Sequence, residues 1–135
     1  SLVQQPYRLT AQLSVNQVEQ KIIDDALKNR IIEFESGSAI LTDAGNKILD
    51  EMVVALTKVG AKKVKIIGHT DSSGDANKNT VLSQERAMAV QNYLVSKSIA
   101  VERLSTAGKG SSQPVADNST TEGRKKNRRI EFEVL

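Results

Sequence analysis

The chain contains no cysteine and a single histidine, His69, among its 135 residues. Without thiols it can form no disulfide, no thiolate metal site and no cysteine nucleophile. A metal site would need carboxylates, and the adjacent Asp24 and Asp25 diverge on a predicted helix. No Gly-x-Ser-x-Gly motif accompanies His69, so a catalytic triad is not indicated. We therefore expect no enzyme activity, no cofactor and no metal ion.

Aromatic residues are also scarce, since they make up 3% of the chain and tryptophan is absent. Proteins that hold single-stranded nucleic acid without sequence preference depend on aromatic stacking, which contributes about 1–3 kcal/mol per base. The same shortage argues against a surface that stacks on sugar rings. We therefore expect no nucleic-acid partner.

No apolar run approaches the roughly 18–20 residues that a membrane-spanning helix needs, and no signal segment opens the chain. We expect the domain itself to be soluble. The first residue is Ser1 rather than methionine. This favours a processed or truncated protein, so that any membrane anchor would lie in a region outside this sequence.

Regular alternation of apolar and polar residues is present, and it predicts half-buried strands. It does so at 7–13, 32–35 and 130–134, and two further strands are predicted at 63–67 and 103–107. Helical spacing of apolar residues predicts three helices between them. Their inward-facing positions fall within 15–27, with Ser14 as the N-cap, 48–56 and 82–94.

From residue 31 onward these elements follow the order β-α-β-α-β-β. Right-handed crossover makes strand 63–67 parallel to strand 103–107. The last strand has no crossover helix before it and is expected to run antiparallel. We predict an α+β fold, a two-layer sandwich with a mixed four-stranded sheet and helices on one face. Residues 1–30 are predicted to be the end of an upstream region, and residues 31–135 form the main domain.

One acid and one base flank the same predicted loop. Asp71 lies just after the end of predicted strand 63–67, and Arg86 lies on the following helix. Together they suit a zwitterion, with Asp71 taking the ammonium group and Arg86 the carboxylate. Thr70 and Asn79 would complete the polar shell, and Leu82, one turn before Arg86, would wall the site. A structural ion pair between Asp71 and Arg86 is the competing interpretation.

The connection 108–127 is rich in Gly, Ser, Asn and Asp. Loops longer than about 12–15 residues in compact domains are usually functional. A short helical turn at 120–124 is expected to deliver Arg128 and Arg129 to the end of the sheet where Asp71 lies. The net charge is +3, and much of the basic excess falls in 124–129. That cluster is either a solvated face or a patch for anionic groups.

Several segments, in this order, strongly resemble the OmpA-like peptidoglycan-binding domain of outer-membrane proteins, peptidoglycan-associated lipoproteins and flagellar stator subunits. They are 34–41, Gly68-His69-Thr70-Asp71, 79–87, Gly108-Lys109-Gly110 and the most specific run, 121–132. The resemblance covers about residues 31–135.

The resemblance implies non-catalytic binding of peptidoglycan through the diaminopimelate of its stem peptide, which anchors an envelope protein to the cell wall. It implies a periplasmic domain attached to the outer or inner membrane through a region outside this sequence. By position, it implies Asp71 and Arg86 as the central contacts. The implied surrounding contacts are Thr70, Asn79, Leu82 and Arg128, with Glu35 at the rim.

One residue departs from the family pattern, and two other functions stay open. Family members usually carry glycine where Ser98 ends the second helix of the domain, so serine there must adopt a left-handed conformation or end the helix differently. The alternatives to wall anchoring are a cell-wall hydrolase and a binder of anionic polymers that uses residues 124–129.

Overall fold

The computed structural model describes residues 17–135. Within these residues the chain forms four α-helices, three strands and one short 3-10 turn. The elements in chain order are α1 (17–27), α2 (Asp43–Lys58), β1 (Val64–His69), α3 (Ala76–Ser96), the 3-10 turn (Val101–Arg103), β2 (Leu104–Gly108), α4 (Thr121–Asn127) and β3 (Arg129–Val134). The strand predicted at 7–13 and its neighbour Ser14 lie outside the described residues.

The three strands form one mixed sheet in the order β2-β1-β3. β1 runs parallel to β2 and antiparallel to β3, so both predicted strand directions are confirmed. Alternation along β3 buries Ile130 and Phe132 against the core, while Glu131 and Glu133 face the opposite side of the sheet. The core combines this inner face with buried residues of α1, α2 and α3.

The prediction of a fourth strand at 32–35 was wrong for the described sheet. Phe34 forms only an isolated antiparallel bridge with Leu41. The chain reverses near Gly37, which has a φ of +67°. The N–H of Glu35 donates to the carbonyl of Ile40 at 2.8 Å, and the N–H of Thr42 donates to that of Glu33 at 3.1 Å. The segment therefore pairs with residues just after it and not with the sheet.

Helix α1 covers part of the free edge of β3. The side-chain amide of Gln20 donates to the carbonyl of Phe132 at 2.8 Å and accepts from the N–H of Val134, also at 2.8 Å. Ile23, one turn further along, is fully buried in the shared core. An unpaired strand edge invites pairing with another chain. The amide of Gln20 satisfies two backbone groups on that edge, so the described part of residues 1–30 packs against the main domain.

Ser98 ends α3 in the left-handed conformation, with a φ of 76°. Its N–H donates to the carbonyl of Val95 at 3.0 Å, and the N–H of Ile99 donates to that of Leu94 at 3.1 Å. This pair of bonds is the Schellman arrangement, in which glycine is the usual left-handed residue. Of the two alternatives that the sequence left open, the chain adopts the strained one.

Replacing Ser98 with glycine is expected to raise the free energy of unfolding by about 1 kcal/mol, because glycine adopts this conformation without steric cost. The side chain of Ser98 is exposed, so few contacts are lost. Urea denaturation would measure the change. Ser96→Gly, at the end of the same helix, is the control and should lower stability by a few tenths of a kcal/mol, because glycine is a poorer helix former than serine. A Ser98→Gly variant no more stable than the parent would show that the left-handed conformation of Ser98 costs no stability.

Candidate functional site

Asp71 lies two residues beyond the end of β1, and its side chain is 10% exposed. The backbone N–H of Ser73 donates to Asp71 Oδ1 at 2.8 Å. Arg128 Nη1 lies 2.5 Å from Asp71 Oδ2. Burial raises the pKa of Asp71, but the hydrogen bonds from Ser73 and Arg128 and the charge of Arg128 together hold it below its usual value. The carboxylate is therefore ionised at neutral pH.

The loop that carries Asp71 is held by neighbouring polar groups. The N–H of Thr70 donates to the carbonyl of Gly110 at 2.9 Å. The hydroxyl of Thr70 donates to the carbonyl of Asp71 at 2.9 Å, and the amide of Asn79 donates to that of Ser73 at 2.8 Å. Thr70 and Asn79 thus hold the loop through hydrogen bonds to its backbone and to Gly110, and neither lines the cavity described below.

Arg86 lies on α3, one turn after Ser83. The backbone of Ser83 contacts Gly68 on β1 so closely that a Cβ at Gly68 would sit 2.1 Å from the Ser83 carbonyl oxygen. This close approach brings the following turn of the helix near the end of β1, where Asp71 is. A glycine in the strand therefore allows the acid and the base to share one side of the domain.

The guanidinium of Arg86 is held by the segment 34–38. Arg86 Nε donates to the carbonyl of Ser38 at 2.8 Å, and its central carbon lies 5.0 Å from the centroid of the Phe34 ring. Among residues 17–135, neither terminal nitrogen of this guanidinium makes a hydrogen bond or ion pair. Arg86 is thus fixed at Nε and over the ring, and its terminal nitrogens remain available to a ligand.

Asp71 and Arg86 influence each other without forming an ion pair within the described part of the chain. Burial and the nearby charge of Arg128 lower the pKa of Arg86, and the charge of Asp71 partly offsets them. A guanidinium nevertheless stays charged at neutral pH. The two groups are therefore charged and close enough to interact, yet neither holds the other in a direct contact.

Arg128 enters the site from the junction of α4 and β3, as the sequence predicted. Asn127, directly before it, is completely buried. Its Oδ1 accepts from the N–H groups of Val115 and Ala116 at 2.7 and 2.9 Å, and its Nδ2 donates to Ala116 O and Asn118 Oδ1 at 2.9 and 2.8 Å. This buried amide fixes the long loop to the chain beside Arg128. Its only sequence signal was its place in the most specific run of the resemblance.

A second cluster fixes the start of β3, and the sequence did not indicate it. His69 Nε2 lies 2.7 Å from Glu131 Oε1, and Arg129 Nε lies 3.3 Å from Glu131 Oε2. Burial and the charge of Arg129 lower the pKa of His69 below its ordinary value. The ring is therefore neutral at pH 7, and Nε2 carries the proton that it donates to Glu131.

Asp71, Arg86 and Arg128 all line a cavity of about 960 Å³. Its remaining lining residues are Asn29, Ile31, Ile32, Glu33, Phe34, Ser36, Gly37, His69, Ser73, Lys125, Arg129 and Ile130. Leu82 is half-buried and Glu35 is exposed, and neither lines the cavity. The structure thus brings three of the seven predicted contacts together around one open space. Direct contact of any of the seven with a ligand stays a prediction.

Across residues 17–135, no three His, Cys, Asp or Glu side chains cluster in a way that could hold a metal ion. In the same range, no helix has both the length and the apolar character needed to span a membrane.

The sequence profile of the OmpA family matches residues 33–128. The chain belongs to the OmpA family. The match includes Asp71, Arg86 and Arg128, and it begins after α1. Asp71, Arg86 and Arg128 therefore lie within the OmpA region, whereas the helix that covers the edge of β3 precedes it.

Two relatives in sequence are longer than this chain. Outer membrane protein A of Bordetella avium is 38% identical over 102 residues, which are 76% of this chain and 53% of that protein. The peptidoglycan-binding protein ArfA of Mycobacterium tuberculosis is 40% identical over 103 residues, which are 76% of this chain and 32% of that protein. This chain therefore spans about half the length of these relatives or less.

The fold is also similar to solved structures. The cell wall anchor of the T6SS from Pseudomonas aeruginosa superimposes with a TM-score of 0.69 at 35% sequence identity. The superposition covers 76% of this chain and 73% of that one. The similarity in sequence and in three dimensions thus extends over the same share of the chain.

Proposed function

We propose that this chain binds peptidoglycan without catalysis, through the diaminopimelate of its stem peptide, and so anchors an envelope protein to the cell wall. One observation carries the proposal. Ionised Asp71 and the guanidinium of Arg86 line the same cavity without forming an ion pair with each other. A ligand with both charges on one carbon atom can therefore meet both groups.

The free end of a diaminopimelate side chain carries an ammonium group and a carboxylate on the same carbon. The ammonium group supplies three donors, and Asp71 accepts one of them. The carboxylate accepts from the two terminal nitrogens of Arg86, a paired geometry that guanidinium favours. Charge-assisted bonds of this kind contribute about 1.5–3 kcal/mol each. Both charges together therefore determine which stem peptide is bound.

The size and lining of the cavity also fit a peptide. At about 960 Å³ it exceeds what one amino acid centre fills, and Ile31, Ile32 and Phe34 supply apolar contact for a longer ligand. The names of two relatives, a peptidoglycan-binding protein and a cell wall anchor, support a wall ligand. Because the wall is a mesh of repeated sites, modest single-site affinity suffices for retention. We expect the full-length protein to reside in the periplasm and to be membrane-anchored through another region.

The test compares two soluble muropeptides that differ only in the third residue of the stem, diaminopimelate in one and lysine in the other. Lysine keeps the amino group and lacks the carboxylate. We expect calorimetric titration to show at least about tenfold tighter binding of the diaminopimelate form, because only that form meets Arg86. Asp71→Asn should weaken its binding by a similar factor, since the neutral amide attracts ammonium less.

Asp43→Asn is the matched control, since it makes the same charge change on an exposed residue of α2. It should bind as the parent does. Equal affinity for the lysine and diaminopimelate muropeptides would refute diaminopimelate recognition. Anionic-polymer binding by residues 124–129 would instead be supported if retention on insoluble peptidoglycan were unchanged in Asp71→Asn and fell steeply as the salt concentration rises.

A further inference from the structure

Arg128 occupies the position that a ligand's ammonium group would need at Asp71. Arg128 Nη1 lies 2.5 Å from Asp71 Oδ2, and Asp71 Oδ1 already accepts from the N–H of Ser73 at 2.8 Å. The carboxylate faces the cavity with a cation of the chain itself in place. In the ligand-free protein the acidic half of the site is therefore neutralised by Arg128 and not by Arg86.

Two of the three charged groups are fixed, and the third can move. Asp71 is buried and bonded to the loop backbone, and Arg86 is 9% exposed and held by Ser38 and Phe34. The side chain of Arg128 is 43% exposed. Within the described part of the chain, its one side-chain partner is Asp71. Arg128 can therefore leave Asp71 without breaking any other hydrogen bond or ion pair of its side chain in that part.

The charge balance favours such a movement when a zwitterion arrives. Arg86 and Arg128 repel each other, as the lowering of the pKa of Arg86 by Arg128 indicates. Two guanidinium groups surround one carboxylate, so the three groups carry one net positive charge. A ligand carboxylate relieves the repulsion between the two cations. A ligand ammonium group without a carboxylate would displace Arg128 and leave both cations uncompensated.

We infer that Arg128 is an internal counter-cation, which pairs with Asp71 in the free protein and is displaced from it by the ammonium group of the ligand. The released guanidinium then joins Arg86 around the ligand carboxylate. This inference rests on the proposed function. The site consequently selects ligands that carry both charges and discriminates against simple amines, because an amine alone replaces one ion pair with another and gains little.

The pairing can be tested without any ligand. NMR titration of the Asp71 carboxyl carbon in the parent chain and in Arg128→Met should show a higher pKa in the variant, because a partner cation has been removed. Lys126→Met removes the same charge from an exposed residue of α4 that does not line the cavity, and it should shift that pKa much less. Equal Asp71 titration in the parent and in Arg128→Met would overturn the inference.

The displacement is tested with two diaminopimelate muropeptides, one with its free amino group and one in which that group is acetylated. The dissociation constant of the acetylated form divided by that of the free form measures the contribution of the ammonium group. We expect Arg128→Met to increase this ratio about three- to fivefold, since a partly exposed ion pair no longer has to be broken. An unchanged or smaller ratio in Arg128→Met, with binding by the parent intact, would overturn the inference alone. Absence of binding by the parent, or an Asp71→Asn variant that binds as the parent does, would overturn the proposed function and this inference with it.

Discussion

Replacing Arg86 with methionine is expected to weaken binding of the diaminopimelate muropeptide about a hundredfold or more while the fold persists. The two terminal nitrogens of Arg86 would bond the ligand carboxylate in a partly desolvated cavity, and losing them removes about 3 kcal/mol. Since about 1.4 kcal/mol is a factor of ten in affinity, this corresponds to about two orders of magnitude. Methionine keeps an unbranched apolar side chain that can pack on Phe34, so no large void forms.

Arg103 offers a matched control for Arg86→Met. Like Arg86 it donates to backbone carbonyls, with Nε 3.0 Å from Lys62 O and Nη2 3.0 Å from Leu56 O, but it does not line the cavity. Arg103→Met should lower the melting temperature and leave muropeptide affinity unchanged. Calorimetry and thermal denaturation on both variants separate the two effects. If Arg86→Met bound the muropeptide within threefold of the parent, the carboxylate would be recognised elsewhere.

Local pattern in the sequence predicts where Asp71 and Arg86 lie in the fold. β1 ends just before Asp71, and α3 begins within a few residues, so Asp71 and Arg86 had to fall on one side of the domain. The contacts that fix Arg86 come from Phe34 and Ser38, about fifty positions earlier in the chain. Such long-range contacts leave no periodic signal. Spacing therefore indicated the acid and the base, but not which groups hold the base in place.

The same difference between local pattern and long-range contacts explains which strands the sequence predicted correctly. Alternation in β3, the crossover rule for β1 and β2, and the lack of a crossover helix before β3 predicted these strands and their directions correctly. The segment 32–35 alternates in the same way, yet its backbone bonds to residues 40–42. On the edge of β3, the side-chain amide of Gln20 forms hydrogen bonds with two backbone groups, the carbonyl of Phe132 and the N–H of Val134. Alternation reports which side chains are buried, and it does not report which backbone a segment pairs with.

Gly68→Ala is expected to lower the free energy of unfolding by about 3 kcal/mol or more, the largest stability change among these variants. The new Cβ would lie 2.1 Å from the carbonyl oxygen of Ser83 and 2.9 Å from its carbonyl carbon. These are backbone atoms of α3, so no side chain can rotate away, and overpacking of this kind is strongly destabilising. The helix has to move outward and would take Arg86, three residues further on, with it.

Gly60→Ala separates the effect of this contact from the general cost of adding a side chain to a glycine. Gly60 has a φ of +67°, and a Cβ there would meet no heavy atom within 4 Å. Alanine at that position should cost about 1 kcal/mol from conformational strain and leave muropeptide binding unchanged. Gly68→Ala should lose both stability and affinity, because the contact between β1 and α3 also positions Arg86. Urea denaturation and calorimetric titration of both variants make the comparison. A Gly68→Ala variant that loses no more stability than Gly60→Ala would show that α3 can yield at Ser83, and the placement of Arg86 would then need another cause.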